Sequence, residues 1–230
     1  MKTSVLFLIF SFFFSFNLFA YQVKPMVSHL QLSKGETSIS YRVSNPADVA
    51  VPIEVEVFKI SFDQDNKEVL TPVEDDFLVL PPQSEVPAKS HQVFRAQLIN
   101  NVDSGETISY RIIFKQLAID DKVTESKINM LYNFSTLAFV SPPSAKPILS
   151  TKLICQTTCF LEITNTGNGI LPLKSSQLKL NDIEFSWVNI SGLINKTYLM
   201  PGHKYQLPLD KIQGAPEVIT RAEFIPNYER

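Results

Sequence analysis

The feature of this 230-residue sequence that most constrains its fold is a two-residue alternation of apolar and polar side chains, repeated in short runs. Ile39, Tyr41 and Val43 alternate with polar neighbours, and Ile53, Val55 and Val57 alternate with Glu54 and Glu56. Successive side chains of a strand point to opposite faces, so such a run buries one face and wets the other. No window sustains a 3.6-residue apolar period, so helices should be few. The runs are separated by turn chemistry: Asn45-Pro46-Ala47-Asp48, Asp63-Gln64-Asp65-Asn66, Pro81-Pro82, Asn165-Thr166-Gly167-Asn168-Gly169 and Pro201-Gly202. Short strands at this spacing predict an all-β sandwich architecture.

The runs fall into two groups. The first covers residues 37–44, 51–62, 77–80, 91–99, 107–119 and 128–140, enough for about seven strands and one immunoglobulin-like domain over 21–141. Residues 120–127 are polar and are expected to form a loop. Pro142, Pro143 and Pro147 make 142–147 a stiff linker. The second group, at 148–154, 160–164, 171–180, 184–190, 198–200, 205–209 and 218–224, predicts a second β-sandwich over 148–230. The two groups share no evident sequence repeat.

Residues 1–20 have the layout of an export signal: Lys2, an apolar run from Val5 to Phe16, and Ala20 at the exit. That run is short for a membrane span. The signal predicts an exported mature chain, and with no second segment near the roughly twenty apolar residues of a span, no membrane insertion. With 21 Lys+Arg against 23 Asp+Glu there is no basic excess, which argues against a nucleic-acid partner. The only cysteines, Cys155 and Cys159, would meet an oxidising compartment, so a disulfide across a tight turn is expected. They lack companions for a metal site, and no cofactor motif is present. His29, His91 and His203 stand apart from one another, and no nucleophile, zinc or phosphate-loop motif occurs, so the sequence predicts no enzyme. Glu74-Asp75-Asp76 lacks the ligand spacing of a calcium loop and reads as a solvated turn.

Two segments carry more information. Pro81-Pro82, Pro87 and Arg95 precede a strand opening Tyr110-Arg111 and continuing to Phe114 and Lys115. In the second group, Asn165-Thr166-Gly167-Asn168 and Pro201-Gly202 form two marked turns. In order and spacing these motifs resemble periplasmic chaperones of fimbrial assembly, closer to the divergent chaperones of alternate fimbriae than to those of type 1 or P pili. The resemblance implies two immunoglobulin-like domains set at an angle, and a function. A fimbrial subunit lacks its last strand; the chaperone lends one, prevents premature polymerisation, and delivers the subunit to an outer-membrane usher. Strand lending is β-augmentation: backbone hydrogen bonds close the open edge and alternate side chains fill the groove.

By that resemblance the donor strand lies at residues 128–132, on a face made by Ile128, Met130, Tyr132 and Phe134. An ordinary core or edge strand is the alternative reading, and with it a secreted structural or adhesive β-sandwich with no subunit. Members of the family hold the subunit's C-terminal carboxylate with an Arg near the first strand and a Lys on the last. Here those regions read Ser28-His29-Leu30-Gln31-Leu32 and Thr136-Leu137-Ala138, with neither. Arg111 and Lys115, on one strand face, and Arg95, expected on a neighbouring strand, are the candidate substitutes; structural or surface roles for them stay open. Whether the free chain caps itself as a homodimer stays open too.

Overall fold

The computed structural model describes residues 20–64, 67–100, 105–118 and 130–227. The expected export signal, apart from Ala20, lies outside the described residues, as do Ile128 and the expected loop at 120–127.

Ten strands form the first sandwich: β1 (Gln22–Lys24), β2 (Val27–Gln31), β3 (Ser38–Asn45), β4 (Val51–Phe62), β5 (Glu68–Pro72), β6 (Phe77–Leu80), β7 (Gln83–Val86), β8 (Ser90–Leu98), β9 (Ile108–Gln116) and β10 (Asn133–Ser141). One sheet has the order β1-β3-β8-β6; the other runs β2-β10-β9-β4-β5, with β7 beside the first part of β4. The core between them holds the alternating residues picked out above, and the rings of Tyr41 and Phe94 meet Phe114 edge-on at 5.2 and 5.7 Å. The expected count of seven strands is too low. The first strand is cut by Pro25, which has no N–H for a ladder, and the chain passes from one sheet to the other there. β5 and β7 are short flanking pieces on the long β4.

The second sandwich comprises β11 (Leu149–Cys155), β12 (Cys159–Asn165), β13 (Leu171–Pro172), β14 (Gln177–Leu180), β15 (Ile183–Phe185), α1 (Trp187–Ile190), β16 (Tyr198–Leu199), β17 (Lys204–Pro208) and β18 (Ala222–Ile225). Its core is separate, built around Leu161, Ile163, Leu173 and Leu207. The run expected at 171–180 is broken by a turn in which Ser175 has φ 63°. The run at 184–190 is part strand, part helix. Ser186 opens α1, its N–H donating to Asn189 Oδ1 at 2.9 Å, a capping pattern that stops the strand. Cys155 and Cys159 are disulfide-bonded directly across the β11–β12 pair, with Cα atoms 4.1 Å apart.

Each sandwich uses the same turn device, which the sequence comparison of the two halves missed. Asn45 ends β3; its Nδ2 donates to Val49 O at 2.7 Å and its Oδ1 accepts from Ala47 N–H at 3.0 Å. Asn165 ends β12; its Nδ2 donates to Gly169 O at 2.7 Å and its Oδ1 accepts from Gly167 N–H at 3.1 Å. The offsets of four and two residues are identical. Both side chains also reach across the domain, Asn45 to Val86 O and Asn165 to Leu199 O. Each is a buried amide fully used as donor and acceptor.

The Asn165 turn also seats the linker. Lys146 O accepts from Asn168 and Gly169 N–H, and Ile148 O from Thr166 N–H. A Cβ on Gly167 would lie 2.2 Å from Lys146 O, and one on Gly169 2.8 Å from Lys146 C, so only glycine admits the linker backbone. Asn168 continues into the first domain: its O accepts from Thr107 N–H at 2.8 Å and its Nδ2 donates to Gly105 O at 2.8 Å.

Asn165→Ala leaves two buried carbonyls without their donor and should lower stability by about 3 kcal/mol, read as a lower denaturant midpoint at unchanged slope. Asn45→Ala should cost a similar amount, and a loss of under about 0.5 kcal/mol at either site would show that these turns do not depend on the amide.

Candidate functional site

β10 is paired unevenly. Along its whole length it is antiparallel to β9, from Asn133 opposite Lys115 to Val140 opposite Ile108. On its other side β2 runs parallel to it, but only from Leu137 opposite Val27 to Ser141 opposite Gln31. The last bond on that side goes from Leu137 N–H to Met26 O, at 2.9 Å. Among the described residues, β10 therefore has one neighbouring strand and one free edge from Asn133 to Thr136, because residues 22–24, upstream of Pro25, belong to the opposite sheet. A free edge presents unpaired N–H and C=O groups and is a template for another strand.

The expected donor residues meet this edge to different degrees. Met130 is 66% exposed and its neighbour Leu131 49% exposed. Tyr132 and Phe134 are partly buried and pack on the core of their own domain. The Phe134 ring meets Tyr21 at 4.7 Å, and the Tyr132 hydroxyl lies 3.9 Å from the Met130 sulfur. In sequence, Met130, Tyr132 and Phe134 are in phase with Thr136, Ala138 and Val140 of β10, which begins at Asn133.

The three candidate cations are not brought together. Arg111 and Lys115 share the outer face of β9, but Arg111 makes a bidentate pair with Glu68, at 2.8 and 2.9 Å, and Lys115 pairs with Glu56. The hydrogen bond to Glu68 is the main influence that raises the guanidinium's pKa. Arg95 is not on a strand neighbouring β9. It lies on β8 in the opposite sheet, across the core from Arg111, and donates to Ser38 Oγ and Gln97 Oε1. Two arginines on strands of different sheets are separated by the aromatic layer between them. In the acidic turn, Asp76 is held from within, accepting from the Tyr110 hydroxyl at 2.9 Å.

The outer face of β2 and β10 is closed by the second domain. Phe139 is fully buried although it points away from its own core. His29 stacks on it at 4.9 Å, and Tyr198 of the second domain packs edge-on against both. A second joint pairs Phe62 of the first domain with His203 of the second at 3.9 Å, and Lys196 Nζ sits 5.6 Å from the same ring. Beside the first joint is a cleft of about 610 Å³ lined by His29, Gln31, Pro142, Pro147, Lys174 and Tyr198. Lys174, which sequence reasoning passed over, is the cation of this lining among the described residues.

No protein-family model and no curated protein matches the chain. Solved structures do. A chain from the CsuC–CsuE complex of chaperone and tip adhesion subunit, from the archaic Csu pili of Acinetobacter baumannii, is 15% identical with a TM-score of 0.59; the match covers 90% of this chain and 97% of that one. The class 5 fimbriae chaperone CfaA is 14% identical with a TM-score of 0.58, over 92% of this chain and 100% of that one. The E. coli chaperone DraB is 17% identical with a TM-score of 0.58, over 83% and 85%. The fold is that of the fimbrial assembly chaperones, two immunoglobulin-like sandwiches in one chain.

Burial lowers the pKa of His29, with Glu36 opposing it, and burial lowers that of His203, with Lys196 adding to it. The folded protein then binds fewer protons here than the unfolded chain does. The stability contributed by the neutral rings is complete above the ordinary histidine value of about 6.5 and is lost as pH falls from there through the lower folded values. The melting temperature should fall between pH 7.5 and pH 5, and His29→Gln with His203→Gln should flatten that fall. An unchanged pH profile in the double variant would show that the two joints do not carry it.

Proposed function

We propose that this chain is an exported, periplasmic chaperone that holds fimbrial subunits on the free edge of β10, keeps them from polymerising, and passes them to an outer-membrane usher. Residues 21–141 would be the subunit-binding domain, 142–147 the linker and 148–230 the second domain. The observation that carries the reading is the asymmetry of β10 among the described residues: paired on both sides from Leu137 onward, on one side only from Asn133 to Thr136, and continued upstream by exposed Met130 and Leu131. The likeness in fold to fimbrial chaperones supports it, some of them solved in complexes with tip or pilin subunits.

Physically, an incomplete immunoglobulin-like partner offers a groove with an unpaired backbone edge. The β10 edge would close that ladder, and Met130, with Ile128 upstream, would enter the groove. Each such side chain contributes about 1.5–3 kcal/mol when fully buried. No chemical step and no cofactor is required, because handover replaces one strand by another. A guanidinium already paired with Glu68 is a poor anchor for the subunit's carboxylate, and Lys174 in the cleft is the better-placed cation.

The competing reading, a structural or adhesive sandwich, draws on Tyr132 and Phe134, which are partly covered by their own domain. Co-expression with a strand-deficient subunit from the same gene cluster separates the two. Met130→Asp with Tyr132→Asp should weaken capture about 100-fold, equivalent to losing one fully buried side chain. Capture equal to that of the parent would end the donor-strand assignment.

A further inference from the structure

Resting on that reading, the structure also points to what determines where the donor ribbon begins. Tyr21 is 2% exposed, and its phenol reaches across the sandwich from the start of β1, which belongs to the opposite sheet. Its hydroxyl lies 2.8 Å from Phe114 O on β9 and 2.9 Å from Tyr132 O, so one proton is shared between the two carbonyls. Its ring packs edge-on against Phe134, the residue directly opposite Phe114 in the ladder. Tyr132 is gripped twice more: its carbonyl accepts from Gln116 N–H at 3.2 Å, and its N–H donates to Gln116 Oε1 at 3.2 Å. Among the described residues, neither Met130 nor Leu131 makes a backbone hydrogen bond to the sandwich. Burial raises the pKa of the Tyr21 phenol, so it stays a donor throughout the physiological range.

We propose that Tyr21 is the positioning residue of this edge, fixing Tyr132 as the point where the ribbon leaves the sandwich. Met130 and Leu131 are then offered to a partner while Phe134 stays on its own core. Without the hydroxyl, the Tyr132 carbonyl keeps only the Gln116 bond, and the exit point can slide or fray. The clamp also ties the two sheets together at the start of β1.

The test uses nitroxide labels at Met130→Cys and Val93→Cys, read by pulsed electron paramagnetic resonance on the free, full chain. The parent should give a narrow distance distribution, and Tyr21→Phe, which keeps the ring, should at least double its width. Tyr21→Phe should also slow capture of the strand-deficient subunit about tenfold. A role in packing alone would lower the melting temperature without widening the distance at low temperature. An unchanged distribution in folded Tyr21→Phe overturns the proposal. The donor reading is judged separately: loss of capture in the Met130→Asp, Tyr132→Asp variant with an unchanged Tyr21→Phe removes the clamp and keeps the donor strand. Parent-like capture by the double aspartate variant removes the donor strand, and the distance measurement still decides the clamp.

Discussion

Among the described residues, the leading half of β10 has a single neighbouring strand because the first strand of the chain is divided between two sheets. Gln22–Lys24 pairs with β3; beyond Pro25 the chain crosses over and Val27–Gln31 pairs with β10. A strand cannot cover the same stretch twice. Once it has spent its first residues on the other sheet, it reaches β10 only at Leu137 and leaves the leading half of that strand with a single neighbour. Free edges are usually blunted by charge, proline or brevity. Here Asn133, Phe134, Ser135 and Thr136 carry no charge, and the segment ahead is apolar and exposed. That combination is a hazard for an ordinary sandwich.

The rest of the first domain frames this edge. The ion pairs of Arg111 with Glu68 and Lys115 with Glu56 neutralise the outer face of β9 and β4, leaving β10 flanked by a surface with little net charge. The aromatic joint of His29, Phe139 and Tyr198 occupies the face that the resemblance would furnish with an Arg and a Lys. In this chain that position binds its own second domain instead.

Much of the strand pattern was legible because burial on one face writes itself as alternation. β4 and β6 match the residue runs end to end, and β3, β8 and β9 differ by a residue or a few. What escaped was whatever alternation does not encode. The split at Pro25 depends on which sheet each half joins. The helix at Trp187 depends on a local cap. Arg95 was expected on a strand neighbouring that of Arg111, whereas strand order decides the matter and places them in opposite sheets. At the site, Met130 was readable as apolar and close to a polar stretch, but the free edge beside it is a fact of pairing. Tyr21 was invisible as a functional residue, since its contacts lie 93 and 111 residues away along the chain.

The linker backbone fills the space that side chains on Gly167 and Gly169 would need, and Asn168 bridges onward to Gly105 and Thr107. The two sandwiches thus share a joint made of main chain, with residues from three stretches of sequence. Any chimera that grafts a foreign second domain onto this first one must therefore transplant the 165–169 turn, the 146–148 segment and the 105–107 corner as one block. A cut made at the prolines alone would separate interlocking parts and yield two domains free to swing.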